Sequence, residues 1–165
     1  MEIRQARADD VPVVVALHGQ LQEHLATRNP RFWQPERNDA AMYQDLIRDE
    51  SGALFVAEEA GRIVALLGGR IVLRDAERPG VVGFVDTAYV RADCRRRGVG
   101  RSLMRRLLAF FEERGAQDVC VRYVLGNHEG ERFWRGLGFE PFSVSANATP
   151  KCLRARLQEL NHGPR

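Results

Sequence analysis

The most constraining stretch of the chain runs from Val81 to Arg114, VVGFVDTAYVRADCRRRGVGRSLMRRLLAFFEER. Val81 to Val90 is an apolar run rich in β-branched and aromatic residues, the composition of a buried strand. A polar turn follows from Arg91 to Arg97. After Gly98-Val99-Gly100, apolar residues at 99, 103, 104, 107, 108, 110 and 111 line one face of a helix of about four turns. Gly115 is placed to end it. The segment therefore reads strand, glycine turn, helix. Glycines let backbone N–H groups approach a ligand, and a helix N-terminus adds partial positive charge. Arg95, Arg96, Arg97 and Arg101 surround the same turn. Together these features predict a site for phosphate or pyrophosphate, against the plainer reading of a basic loop whose glycines serve only the turn.

Two common phosphate motifs are excluded by spelling. A dinucleotide fingerprint needs a third glycine where this chain has Leu103, and a P-loop needs Lys after its second glycine where this chain has Arg101. What remains, Arg95-x-x-Gly98-x-Gly100, resembles the (Arg/Gln)-x-x-Gly-x-(Gly/Ala) signature of the GNAT N-acetyltransferase superfamily. Further on, Asn127-x-x-Gly130-x-x-Phe133-Trp134-x-x-x-Gly138-Phe139 is similar to that family's second signature, and Asp86-Thr87-Ala88-Tyr89-Val90-x-x-Asp93 to the strand leading into its turn. The likeness spans about Ala53 to Phe142 well and the first helices loosely.

The rest of the chain sets limits. At 165 residues it suffices for one domain with a real core, and 44% apolar residues is ordinary for a globular protein. We read residues 1–165 as a single domain. No apolar run reaches the 18 or so residues of a membrane span, and the N-terminus lacks a signal-peptide pattern, so a cytoplasmic protein without membrane contact is expected. Cys94, Cys120 and Cys152 are too few and too scattered for a disulfide framework. His128-Glu129 begins like a zinc-protease helix, but Arg132 stands where the second ligand belongs, so no metal is expected. The net charge is +3, with 25 basic residues of which only Lys151 is lysine; 22 interspersed acidic residues argue against nucleic acid as a partner.

In order, the pattern predicts a strand at Glu2–Ala6, and a helix capped by Asp9 or Asp10 with Val14, Leu17, Leu21 and Leu25 inward. His18 and His24 on this helix read as solvated or core-edge residues. A loop at Arg28–Asn38 carries Phe32 and Trp33, which either line a pocket or plug the core. A second helix follows at Asp39–Asp49 with Ala41, Met42 and Leu46 inward. Strands are expected at Ala53–Glu59 and Arg62–Leu73, joined by a hairpin, and at Asp118–Leu125 and Phe139–Ser145. Asn127–Gly136 reads as a short helix, and local signals favour a last helix from Pro150 to Asn161 although the family places a strand near there. The order implies a mixed sheet in an α/β or α+β layered domain. The resemblance adds a mostly antiparallel central sheet flanked by helices, with a splay between the fourth and fifth strands.

The resemblance also implies chemistry. The cosubstrate would be acetyl-coenzyme A and the acceptor a primary amine of a small molecule or peptide; a homodimer is allowed. The pyrophosphate would rest on the turn, at Arg95, Arg96, Arg97, Gly98, Val99, Gly100, Arg101 and Ser102. Tyr89 and Val90 would meet the thioester arm, with Val90 offering its backbone N–H to the oxyanion. Asn127 would contact the pantetheine arm, or serve only as a helix cap. Asp86 is either salt-bridged to an arginine or the general base that takes the amine proton. The family's general acid is a Tyr where this chain has Trp134, whose indole does not titrate. Trp134 is then a packing residue or a wall of the acyl pocket, and Tyr123, Tyr89 or Cys94 is left as the proton source. A chain without that acid could also be a coenzyme-A-binding sensor or interaction module with little catalytic power.

Overall fold

The computed structural model describes residues 1–29, 39–74, 80–144, 146 and 148–161. The loop with Phe32 and Trp33, part of the turn before the central strand, and Ser145 lie outside them. The elements are β1 (Glu2–Gln5), α1 (Val11–Arg28), α2 (Asp39–Arg48), β2 (Gly52–Glu59), β3 (Arg62–Arg74), β4 (Gly80–Val90), α3 (Val99–Glu113), β5 (Asp118–Val121), α4 (His128–Arg135) and α5 (Pro150–Asn161).

The five strands form one sheet in sequential order. The first three pairings are antiparallel, and β4 with β5 is parallel. This is the mixed, mostly antiparallel sheet expected. β1 reaches β2 only through α1 and α2, whereas β2 and β3 are joined by a tight hairpin. There Ala60 and Gly61 both adopt positive φ (50° and 73°), the twist a two-residue hairpin turn requires.

Alternation along the central strands builds two cores. Ala53, Phe55 and Ala57 of β2 face the α3 side, where Leu103, Leu107 and Phe111 are fully buried. Leu54 and Val56 face the other side, against Val14 and Leu17 of α1 and Tyr43 and Leu46 of α2. Each large side chain so buried contributes about 1.5–3 kcal/mol. On α2 the inward residues are Tyr43 and Leu46; Met42 is half-buried and Ala41, expected inward, is exposed. The Tyr43 ring fills the space that a Met or Ala would leave, and its hydroxyl donates to Thr87 Oγ1 at 3.3 Å.

Three other expectations change. Asp10 occupies the cap position of α1 but does not cap it: its carboxylate accepts from the Arg7 backbone N–H at 2.7 Å and from Arg4 at 2.6 and 2.9 Å, tying β1 to α1. The Arg4 hydrogen bonds hold the Asp10 carboxyl below its ordinary range, so its stabilisation is lost as pH falls through that lowered value. β5 is shorter than predicted, ending at Val121. Residues 139–144 form no strand. Pro141 interrupts that stretch with no N–H to offer a ladder, and Phe142 and Val144 stay exposed. The last segment is helical, with Thr149 Oγ1 accepting from the Cys152 N–H at 3.2 Å.

The decisive irregularity is in β4. Gly68 pairs with Thr87 and Gly69 with Val85, which leaves Asp86 as the extra residue of a β-bulge. The bulge resets the alternation. Val85 packs with the α3 core, Thr87 meets Tyr43 of α2, and Ala88 and Val90 return to the α3 side. A common face for Asp86, Ala88 and Val90, expected from strict alternation, is therefore not formed. Pairing with β5 ends at Val85–Val121, the last residue before the bulge. From Asp86 to Val90 the strand bonds β3 on one side and has no strand on the other, which is the splay.

Phe111 is seated over two glycines. A Cβ on Gly69 would lie 2.8 Å from its Cζ, and one on Gly83 only 2.3 Å from its ring. Gly83→Ala should therefore force Phe111 out of a well-packed site at a cost of about 1–3 kcal/mol. Urea unfolding of the variant would check this; an unchanged midpoint would mean that the helix-facing layer yields more easily than its packing implies.

Candidate active site

The site grows from the end of β4. The Arg91 N–H donates to Val64 O at 3.0 Å, so Arg91 and Val64 form a hydrogen-bonded pair. The next residue back, Val90 opposite Ala65, is then a non-hydrogen-bonded pair, and its N–H and C=O point away from β3 into the gap. Arg95 shows the consequence: its Nε donates to Val90 O at 3.0 Å from across that gap.

A 3-10 turn over Ala92–Cys94 carries the chain into the arginines. Cys94 is buried, and burial pushes its thiol pKa up, which keeps it protonated and a poor nucleophile. Arg96 (φ 60°) and Gly98 (φ 82°) both take left-handed conformations. Gly98 is also the N-cap of α3, where the Ser102 N–H meets its carbonyl at 3.0 Å. With no side chain at the cap, the first-turn N–H groups of the helix receive no side-chain acceptor. A Cβ at Gly98 would meet nothing within 4 Å, so the space above this helix end is open.

The two glycines of the first motif differ in purpose. Gly98 supplies the left-handed bend and the open helix end. A Cβ on Gly100 would come within 3.0 Å of Phe133, so Gly100 lets α4 lie against the first turn of α3. Val99 is buried beneath them and offers only its backbone, while Ser102 is half-buried.

The four arginines also divide. Arg95 holds Val90 O and, through Nη1, Glu129 of α4 at 2.7 Å. Arg97 is bidentate to Glu59 at 2.5 and 3.1 Å, and this bond holds the Glu59 carboxyl below its usual range. Arg96 and Arg101 are exposed and have no acidic partner among the described residues. The free positive charge at the turn is thus carried by those two and by the helix end.

The other candidates fall as follows. Asn127 caps α4: its Oδ1 accepts from the Gly130 N–H at 3.2 Å. Tyr89 donates to Gln20 Oε1 of α1 at 3.3 Å, with the Arg95 guanidinium 5.8 Å from its ring centre. Tyr123 packs against the α3 core. Asp86 accepts from Arg70 Nε at 2.7 Å, and the Asp86 side chain is 20% exposed. As a whole residue Asp86 is exposed, so much of its open surface is backbone at the splayed edge. Trp134 is 5% exposed, edge-on to Phe133 (4.8 Å) and Phe139 (5.5 Å). So little free surface suits the packing role rather than a pocket wall. Phe32 and Trp33 lie outside the described residues.

Sequence reading missed three polar residues at the gap: Gln20, His24 and Glu129. Gln20 and His24 lie four apart on α1 and so share a face. His24 Nε2 is 3.9 Å from Glu129 Oε2. The i,i+4 spacing was a usable signal, but nothing in the sequence tells which way that polar stripe points.

A sheet that splays beside an uncapped, glycine-led helix end defines a class of fold that receives an extended, phosphate-bearing ligand in the gap. The chain belongs to the Acetyltransferase (GNAT) family, whose profile matches residues 19–139. No curated protein sequence matches it. Among solved structures it is similar to a tetramutant of the BH1408 protein from Bacillus halodurans, with 18% identity, a TM-score of 0.81, and 90% of this chain and 99% of that one covered. It is similar also to the aminoglycoside N-acetyltransferase AAC(6')-Iy in complex with CoA (18%, TM-score 0.72, 92% and 100%). A third is the aminoglycoside 6'-N-acetyltransferase AAC(6')-IG from Acinetobacter haemolyticus (18%, 0.71, 90% and 97%). At that identity the likeness is one of fold. Among the described residues, no helix is long and apolar enough to cross a membrane.

If Trp134 only packs, Trp134→Phe should lower stability by about 1–3 kcal/mol, as core truncations do. It should keep most of the turnover per folded molecule. Thermal unfolding and steady-state rates would be compared; a hundredfold fall in kcat with cofactor affinity intact would give Trp134 a direct part in the chemistry.

Proposed function

We propose that the protein transfers an acetyl group from acetyl-coenzyme A to a primary amine of a small molecule or peptide. The observation that carries this reading is the open, uncapped N-terminus of α3 at Gly98, set beside a strand whose Val90 backbone faces the splay. The residues fit the cosubstrate. Its pyrophosphate would be held by the N–H groups of the turn and first helical turn, residues 97–102, with charge from Arg96 and Arg101. The thioester it supplies carries the acetyl group to be transferred. Two of the similar structures are aminoglycoside acetyltransferases, which makes aminoglycosides natural members of an acceptor panel.

An amine attacks only when neutral, and the oxyanion that forms needs a donor. The Val90 N–H is that donor in this reading. Asp86 takes the amine proton through water, with Arg70 holding its carboxylate in place; the plainer role is the Arg70 ion pair alone. Stacking of the coenzyme arm along the splay would leave Asn127 to its capping bond.

Titration calorimetry with coenzyme A tests the binding half. Gly98→Glu puts a carboxylate where the pyrophosphate should sit and should weaken binding at least tenfold; the space there is open, but φ is 82°, so thermal unfolding of the variant is measured alongside to separate lost binding from backbone strain. Equal affinity in both proteins would remove the claim. Turnover against a panel of amines, aminoglycosides included, tests transfer itself, and binding without transfer would leave a coenzyme-A sensor.

Asp86→Asn tests the base. Affinity for acetyl-coenzyme A should stay nearly unchanged while kcat/KM for the amine falls about 10²-fold, the low end for losing an acid–base group. Full activity retained in the variant would make Asp86 structural.

A further inference from the structure

We infer that His24 is the general acid of this site, donating a proton to the sulfur of the departing coenzyme A; this rests on the transferase reading above. The argument starts from an empty role. The indole of Trp134 cannot give a proton to sulfur and is packed in the core. The Tyr89 hydroxyl is turned to Gln20, Tyr123 packs against the α3 core, and Cys94 is buried. The splay nonetheless has an imidazole on its rim.

Three contacts place it there. His24 Nε2 lies 3.9 Å from Glu129 Oε2, Glu129 Oε2 lies 2.7 Å from Arg95 Nη1, and Arg95 Nε lies 3.0 Å from Val90 O. One turn earlier on α1, Gln20 meets Tyr89, the neighbour of Val90. At the end of α1, the Arg28 carbonyl lies 3.1 Å from where a Gly126 Cβ would be, just before α4. The last turns of α1 therefore close the side of the gap that β5 leaves open. Of the other described histidines, His18 is buried against Tyr43 and His128 points to solvent with its side chain 80% exposed. His24, 21% exposed at its side chain, is the one that meets α4, through Glu129.

The surroundings suit a proton donor. The charged groups that meet His24 are Glu129 of α4 and, beyond it, Arg95 of the turn; Tyr89 is the titratable group of β4 closest to this rim. Glu129 offers an imidazolium a carboxylate, and Arg95 keeps that carboxylate from swinging away. In the step, the amine nitrogen forms a bond to the acetyl carbon and loses its proton to Asp86 or to water. The C–S bond then breaks with its electron pair passing to sulfur, and His24 Nε2–H supplies the proton that makes the free thiol. The neutral imidazole is recharged from solvent.

The test uses the whole chain and His24→Gln, which keeps a polar side chain but cannot titrate. Turnover with the best amine should fall about 10²-fold in kcat with KM for acetyl-coenzyme A unchanged. A second readout is NMR of the His24 ring, identified by its loss in the variant. Its ring resonances should shift with coenzyme A and not with desulfo-coenzyme A, which lacks the thiol. Unchanged kcat, or a higher KM with kcat intact, would overturn the assignment, as would equal ring shifts with the two ligands. Should the wild type acetylate no amine at all, the transferase reading fails instead, and the NMR comparison still decides whether His24 meets the thiol.

Discussion

The site depends on a single unmatched residue. Asp86 has no partner in β3, so over their paired stretch β4 carries one residue more than β3. That surplus bends the strand and exchanges its faces at the point where β5 stops following it. Without the bulge, strict alternation would carry Thr87 and Tyr89 to the α3 face with Val85. Tyr43 would lose its partner on β4, and Tyr89 would turn away from Gln20. The strand half before the bulge is core, with both neighbours bonded. The half after it is a free edge with the Val90 backbone turned outward. A free edge inside a sheet is ordinarily a liability. Here the last turns of α1, the first turn of α4 and the arginine turn surround it, which limits access to something narrow.

The arginines show how charge is divided around that edge. Four on one short turn would repel one another if all were left free. Glu59 and Glu129 each take one, and the two pairs join different elements: Arg97 ties the turn to the end of β2, and Arg95 ties it to α4 and to the Val90 carbonyl. Exposed ion pairs of this kind contribute little stability, commonly under about 1 kcal/mol. Their value is geometric. A guanidinium is planar and forks its donors, so Arg95 can hold a backbone carbonyl and a carboxylate at once, which a lysine could not do with the same fixed angles.

Much of this was legible in the sequence because the physics involved is local. The α3 stripe at 99, 103, 104, 107, 108, 110 and 111 is a helical period, and six of the seven are buried; Leu108, at the margin of that face, is exposed. Gly98 and Gly115 announced both ends of that helix, and both take positive φ. The hairpin at Ala60-Gly61 and the Thr149-Pro150 helix start are likewise short-range signals. What could not be read was register. The bulge leaves no mark on composition, since an acidic residue in an apolar strand has several explanations. The same blindness put Ala41 inward on α2, where Tyr43 is the residue that is buried. It also hid the pairing of His24 with Glu129, residues more than a hundred positions apart that only the closed fold brings together.

Glycine use along the chain follows from the same geometry and separates packing from binding. Gly69 and Gly83 are bare because Phe111 fills the space a Cβ would need, and Gly100 because Phe133 does. At Gly98 the space is empty, yet glycine still stands there. Its left-handed backbone is one reason, but Arg96 two residues earlier also takes a positive φ, 60°, with a full side chain. The turn therefore tolerates that conformational cost of about 1–2 kcal/mol elsewhere. What a side chain at 98 would add is an obstruction over the N–H groups of the helix end, and one with an acceptor oxygen would also cap them. Glycine at 98 therefore keeps open the space above a helix start that its own N-cap side chain does not close.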